Sequence, residues 1–467
     1  MSNKRLSFAN FPIPFDHPYI LPTLVTTMTV SALAYYTLQA SHHSDMIEAL
    51  RKQSMRKRRH LHRPEDRYAS LQIETRFVNP FDSWRTPSWN DYLLYWIKHS
   101  WKRLTTRYPE PKELDSLLPM NKPEFDQIFS SISSHSPPSL TESWVQIDKE
   151  SSPACSKTTF TWLGQSTCLV TLDGLTILTD PVFDDSLMSK KHTRSFPWKL
   201  QEFQSNVHIV LISHDHADHL DEHVVNILGN SVTWYVPLGL RDWFVHHGVE
   251  NVIELDWWQE VRHKERPEVI IASVPSMHSS GRWSMNKNKS LWSNFVIKSK
   301  DESFFFCGAS GYDKDLFKAI GNVYAPLTLA ALPIGGFTPR TMKKALHMDP
   351  SEAVKAHHHL GCPTLSIGIH WGTFIPSMDE SYLEPQRILQ QTLEKHPLPS
   401  TLSAISPPSA TVYTTTENES IPTSSLTSNT NKSEHIGNNA RRTLFTTTSL
   451  GKTVFVDNLD ENGYNLS

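Results

Sequence analysis

The run Ser213-His214-Asp215-His216-Ala217-Asp218-His219 decides how this chain is read. It sets imidazoles and carboxylate in the pattern H-x-H-x-D-H. An apolar run, Val207 to Ile212, precedes it and predicts a buried strand that delivers the loop at its end. Neutral imidazole and carboxylate are ligands that zinc and iron accept. Four such groups so close together exceed what one tetrahedral ion would take from a single loop while keeping a position open for substrate. The spacing predicts two ions, with His214 and His216 on one and Asp218 and His219 on the other. Two ions about 3.5–4 Å apart clamp a phosphoryl group from both sides. A histidine-rich surface loop is the bland alternative. The preceding strand and further histidines downstream argue against it.

Outward from that loop, shared motifs follow in order: Thr161-Trp162-Leu163-Gly164, Thr179-Asp180-Pro181, Pro237-Leu238-Gly239-Leu240, Glu254-Leu255-Asp256-Trp257-Trp258 and His370-Trp371-Gly372-Thr373-Phe374. An upstream patch, Arg76-Phe77-Val78-Asn79-Pro80, belongs with them. H-x-H-x-D-H after a strand resembles the metallo-β-lactamase fold. The full set resembles, more narrowly, the N-acyl-phosphatidylethanolamine-hydrolysing phospholipase D family, its fungal members included, over roughly residues 70–396 with a trace after 440. The resemblance implies an α/β, four-layer αββα sandwich with two sheets face to face, helices outside and metals at the sheet edge. It implies two zinc ions, a phospholipid substrate, a membrane partner and a homodimer.

The same resemblance distributes roles. His278 takes the third position on the first ion and His370 the last position on the second. Asp180 braces the histidine loop, as ligand imidazoles need a partner for their other ring nitrogen. His347 lies near the substrate phosphate, where a donor can bind phosphate or protonate the leaving alcohol. Asp218 and His347 are thus the candidate catalytic residues, and His214, His216, Asp218, His219, His278 and His370 the metal set. One position departs. The family carries Gly-Asp-Thr-Gly after its Phe-rich strand, and that Asp bridges both metals; here Gly308-Ala309-Ser310-Gly311 stands instead. Alanine cannot ligate, which predicts single or partial zinc occupancy and low or absent turnover. Gln165 replaces the family's usual histidine in its Leu-Gly-His element, a milder change expected away from the ligand set. Two functions compete. One is a zinc-dependent phosphodiesterase releasing N-acylethanolamine and phosphatidic acid. The other is a catalytically impaired lipid-binding membrane protein. Another hydrolase of the same fold is a third reading. Phe337, Trp283 and Trp292 are candidate liners of an apolar channel. His357-His358-His359 reads as an exposed helical face.

Short β-rich runs alternate with helical ones, including 221–229 and 349–360, which indicates a layered α/β arrangement. Asp349-Pro350-Ser351-Glu352 carries an N-cap, a proline at the first helical position and a glutamate three residues after the cap. Residues 158–398 form the expected hydrolase core, preceded by an extension and linker over 71–157. Residues 399–440 are Ser/Thr-rich with few apolar anchors and are expected to be a disordered insertion. Residues 441–467 are expected to add a closing hairpin, Thr443–Thr447 with Thr453–Val456. At the other end, 1–70 holds ten Lys/Arg against five Asp/Glu. Tyr19 to Leu38 is uncharged and long enough to span a bilayer, and Arg51-Lys52 and Arg56-Lys57-Arg58-Arg59 follow it. It reads as a membrane anchor, with a targeting segment or buried helix as alternatives. Asp91 to Leu104 reads as an amphipathic helix, either lying on the bilayer or packing on the core. Anchor, basic flank and resemblance together predict the mitochondrial inner membrane, or another intracellular membrane. Across 467 residues the net charge is -3, so no basic field argues for nucleic acid.

Overall fold

Phe304, Phe305 and Phe306 are successive residues of one strand, and all three are fully buried. Thr159–Gly164 and Thr167–Leu172 are likewise buried throughout. Continuous burial, rather than alternation, belongs to sheets covered on both faces. The computed structural model describes residues 19–105, 111–133, 158–183, 195–283, 286–374, 380–399 and 443–456. In it these strands build two seven-stranded mixed sheets, the heart of the expected α/β sandwich. The first runs, in spatial order, through Thr453–Phe455, Thr159–Gly164, Thr167–Leu172, Leu175–Thr179, Ile209–Leu211, Thr233–Pro237 and Val252–Leu255. The second runs through Leu444–Thr446, Leu365–Ile369, Leu329–Pro333, Ser303–Phe306, Ser293–Lys298, Ile270–Pro275 and Glu260–Arg262.

Strand direction is what positions the site. In the first sheet Thr159–Gly164 is two antiparallel steps from Leu175–Thr179, which pairs parallel with Ile209–Leu211. In the second, Ser303–Phe306, Leu329–Pro333 and Leu365–Ile369 pair parallel, and Ile270–Pro275 is two antiparallel steps away. Within each sheet, therefore, the loops that leave these strands emerge at one edge. The two edges meet: the Ser293 amide donates to the Ser213 carbonyl at 2.8 Å, and the His370 amide to the Gln165 carbonyl at 2.8 Å.

Helices pack on the sheets. Pro350–His359 lies against Leu329–Pro333 and opens with the expected capping box. Asp349 accepts from the Glu352 amide at 2.9 Å, and Glu352 from the Asp349 amide at 3.1 Å. The extension joins the core through buried Phe77, Phe81, Leu114, Leu118 and Ile128. The stretch 134–157 of the linker and all of 399–440 after its first residue lie outside the described residues.

Three expectations are corrected. The C-terminal strands do not form a hairpin. Leu444–Thr446 pairs parallel with Leu365–Ile369, whereas Thr453–Phe455 pairs antiparallel with Thr159–Gly164 in the other sheet. Each covers an open sheet edge, which satisfies more backbone groups than pairing with one another would. Second, Tyr19–Leu38 lies in one helix, Ile20–Arg58, yet no helix among the described residues is long and apolar enough to cross a membrane. Thr23, Thr26, Thr27, Thr29 and Thr37 dilute its apolarity; Thr26, Thr29 and Thr37 turn their hydroxyls back onto helix carbonyls. Third, His357 is fully buried rather than on an exposed face, its ring between Ser366 Oγ (2.8 Å) and Thr443 Oγ1 (3.0 Å).

The helix Trp89–Thr105 keeps its apolar side off the core: Leu93, Leu94, Ile97 and Trp101 are 56%, 56%, 59% and 71% exposed. The helix Ile20–Arg58 is instead tied down at its far half. The Arg51 guanidinium is buried, grips the Glu48 carboxylate through two bonds of 2.7 Å and donates to the carbonyls of Asn79 (3.0 Å) and Phe81 (2.9 Å). Arg51→Ala should leave those carbonyls unsatisfied at a cost of about 1–3 kcal/mol. Limited proteolysis should then cut faster between residues 58 and 81, with urea unfolding reporting the lost stability. An unchanged cleavage pattern and midpoint would contradict this anchoring.

Candidate metal centre

Each ligand candidate sits just past a strand end, where the backbone has finished its ladder and can aim a side chain. Asp180 follows Leu175–Thr179, the 213–219 loop follows Ile209–Leu211, His278 follows Ile270–Pro275 and His370 follows Leu365–Ile369. The six predicted metal-binding residues converge in two groups. In one, donor atoms of His214, His216 and His278 lie within 4.8 Å of one another; in the other, those of Asp218, His219 and His370 do. A third group of donors, Asp180 with His214 and His219, overlaps both. The rings form a continuous chain, with centroids 4.1 Å apart for His214 and His219, 4.6 Å for His214 and His278, and 5.3 Å for His219 and His370.

One nitrogen of each central ring is fixed and the other is aimed inward. His219 Nδ1 donates to Asp180 Oδ2 at 2.6 Å, and His278 Nδ1 to the Leu346 carbonyl at 2.8 Å. His214 Nδ1 lies 2.8 Å from Ser213 Oγ. Asp180 also accepts from the Ser213 amide (2.6 Å) and hydroxyl (2.5 Å), so both its oxygens are spent on holding the loop. It shares a donor group with His214 and His219, but these bonds make it a brace. Gly308 lies against the same brace: a Cβ there would come within 2.2 Å of Ser213 Oγ and 2.9 Å of Asp180 Oδ2, so only glycine fits.

The donor set fits a cation. His278 Nε2 is buried with no hydrogen-bond partner among the described residues. His214 Nε2 lies 2.9 Å from His216 Nδ1, and His370 Nε2 3.3 Å from His219 Nε2. The His214 and His216 nitrogens, this close, need a shared proton or a shared ion between them. Burial first, then neighbouring imidazoles, hold His214 and His278 well below the ordinary value of 6.5. The rings are therefore neutral near pH 7, the form that binds metal.

His347 joins the ring chain, 5.1 Å from His278 and 5.2 Å from His370, and so faces both groups. Burial, with Lys343, His278 and His370, pushes it far toward the neutral form, which suits an N–H donor better than a proton carrier. Ala309 is buried in the 308–311 loop, where its carbonyl accepts from Ser276 Oγ at 2.6 Å; its side chain is a methyl and offers no ligand atom.

Gln165 is corrected. It does not lie away from the ligands: its side-chain nitrogen is 2.9 Å from Asp218 Oδ2 and 2.9 Å from His370 Nε2. Its place at the end of Thr159–Gly164, a strand directed like the ligand-bearing ones, was the available signal. Of the candidate liners, Trp292 is core and donates to the Ser276 carbonyl, Trp283 is exposed, and Phe337 is buried on a loop whose amides bind Glu380.

Residues 176–371 match the model of a beta-lactamase superfamily domain. The chain is 32% identical over 346 residues to the mitochondrial N-acyl-phosphatidylethanolamine-hydrolyzing phospholipase D of Saccharomyces cerevisiae, covering 70% of this chain and 73% of that one. It is 36% identical over 248 residues to N-acyl-phosphatidylethanolamine-hydrolyzing phospholipase D 1 of Caenorhabditis elegans, covering 50% and 69%. The chain belongs to the N-acyl-phosphatidylethanolamine-hydrolysing phospholipase D family. Membership makes it one of the metal-dependent hydrolases. Of the two positions singled out in the sequence, Gln165 touches the centre directly, and Ala309 follows Gly308, which packs on the Asp180–Ser213 brace.

Two outcomes follow for the centre. Asp180→Asn puts a donor where Ser213 and His219 already donate, and should weaken zinc binding about 10- to 100-fold, read by competition with a chelator. Unaltered affinity would remove Asp180 from the bracing role. The second concerns acid. His214, His278 and His347 titrate below 6.5 in the fold, so the unfolded chain binds the extra protons. Stability of the metal-free chain should hold above 6.5 and fall as pH drops below it. Thermal unfolding of chelator-treated protein between about pH 8 and pH 5 checks this.

Proposed function

We propose that this chain is a zinc-dependent phosphodiesterase of phospholipase D type, hydrolysing N-acyl-phosphatidylethanolamine to N-acylethanolamine and phosphatidic acid. The observation that carries the reading is the convergence of His214, His216 and His278 beside Asp218, His219 and His370 in a chain of this family. In the reaction a water oxygen forms a bond to phosphorus, the bond from phosphorus to the ethanolamine oxygen breaks, and the water's proton ends on the departing alcohol. Zinc held by these residues would supply polarisation of the phosphoryl oxygens and a lowered pKa for water. The chain's own residues do the rest. Asp180 and Ser213 fix the histidine loop before substrate arrives. His347, neutral and set between the two groups, donates a hydrogen bond to a phosphate oxygen. Asp218 supplies negative charge opposite the imidazoles.

A phospholipid substrate and a membrane surface as partner agree with the bare apolar side of Trp89–Thr105 and the basic far end of Ile20–Arg58. The mitochondrial inner membrane is the proposed location, supported by the name of the yeast relative and by the basic flank. A homodimer is proposed on the family resemblance alone. Ala309 favours a second reading, a lipid-binding protein that keeps the fold with turnover impaired.

The test is release of N-acylethanolamine from N-acyl-phosphatidylethanolamine micelles by the purified full chain with zinc, followed by mass spectrometry. Slow release is expected, and Ala309→Asp should raise it by about 10²-fold, the scale of one restored electrostatic contact in a transition state. If neither protein releases product while phospholipid binding persists in chelator, the second reading stands.

A further inference from the structure

We infer that the centre is asymmetric: His214, His216 and His278 hold one ion firmly, while the side-chain amide of Gln165 takes the place of a second by bridging Asp218 and His370. The inference rests on the proposed reading of this cluster as a zinc centre.

The geometry of Gln165 carries it. Its Nε2 is 2.9 Å from Asp218 Oδ2 and 2.9 Å from His370 Nε2, two of the three donors in the second group. An amide NH2 offers two protons and no lone pair to a cation. One proton meets the carboxylate and the other the imidazole nitrogen, so a neutral group satisfies both donors. The backbone beneath is pinned. The Gln165 amide donates to Thr373 Oγ1 at 2.6 Å, and the Gln165 carbonyl accepts from Trp162 Nε1 at 2.9 Å and from the His370 amide at 2.8 Å. The side chain therefore reaches the second group from a fixed base. In the first group, by contrast, His278 Nε2 is buried and unpartnered among the described residues.

Charge points the same way. Asp180 is consumed by Ser213 and His219, and Ala309 brings no carboxylate. Asp218 alone would face two dications, whose repulsion at close range grows as the local dielectric falls. A neutral amide between Asp218 and His370 removes that repulsion while keeping both side chains satisfied. Gln165 and Ala309 thus act together: one leaves the second ion without its bridge, and the other fills the gap.

The measurement is zinc per chain by elemental analysis of the full-length protein, saturated with zinc and desalted, with circular dichroism checking that each variant is folded. The unmutated chain should retain one zinc. His278→Ala should lose it and His370→Ala should keep it. Gln165→Ala placed on Ala309→Asp should tighten the second zinc at least tenfold over Ala309→Asp alone, read by chelator competition. Two zinc ions retained by the unmutated chain would overturn the inference and leave the zinc-centre reading intact. So would equal loss from His278→Ala and His370→Ala, or an unchanged second affinity on removing Gln165. No zinc retained by the unmutated chain or by Ala309→Asp would overturn the underlying reading as well. Should the variants fail to fold, the stoichiometry of the unmutated chain decides alone.

Discussion

The carboxylate of Asp180 is the contact on which the rest of the site depends. It has no exposure to water and accepts three hydrogen bonds, two from Ser213 and one from His219. Burial pushes its carboxyl up, while His219 and Ser213 draw it back toward the charged form. A buried carboxylate is tolerated only with such partners. Through them Asp180 links the end of Leu175–Thr179 to the loop after Ile209–Leu211, and turns His219 so that Nε2 faces His370. Ser213 in turn contacts His214. A single buried side chain thus fixes rings from both donor groups.

Around that brace, the sheets supply direction. Because the relevant strands agree in sense within each sheet, their loops meet at one seam, and residues far apart in sequence become neighbours. The His347 ring lies 5.1 Å from that of His278 and 5.2 Å from that of His370. The Asn79 side chain donates to the His278 carbonyl at 2.7 Å, while its own carbonyl takes the Arg51 guanidinium at 3.0 Å. The extension and the long basic helix are therefore joined to a ligand loop by specific bonds as well as by packing.

Much of this was legible in the sequence. Contiguous ligands announce themselves, since H-x-H-x-D-H has few other uses, and apolar runs ahead of His214, His278 and His370 predict the strand ends that carry them. The box at Asp349 is a local signal and held. What misled was non-local. Two short β-rich runs flanking Gly451 resemble a hairpin until the open edges of two separate sheets compete for them. Three histidines in one helix look alike, yet strand packing buries His357, leaves His359 half-buried and only His358 exposed. Gln165 carries no ligand signature; only strand sense and the meeting of two sheets bring its amide to Asp218. A helix rich in threonine satisfies a length rule for bilayers while failing the apolarity that the rule assumes.

Gln165, Asp180 and His370 share a backbone trait: all are non-glycine residues at positive φ, +46°, +33° and +64°. Such conformations cost on the order of 1–3 kcal/mol each and persist where surrounding structure enforces them. Glycine at any of the three would relax the chain and erase its chemistry. Selection for heat resistance alone should therefore drift toward an inert, sturdier sandwich, and only selection that also demands metal or turnover would keep these three strained side chains in place.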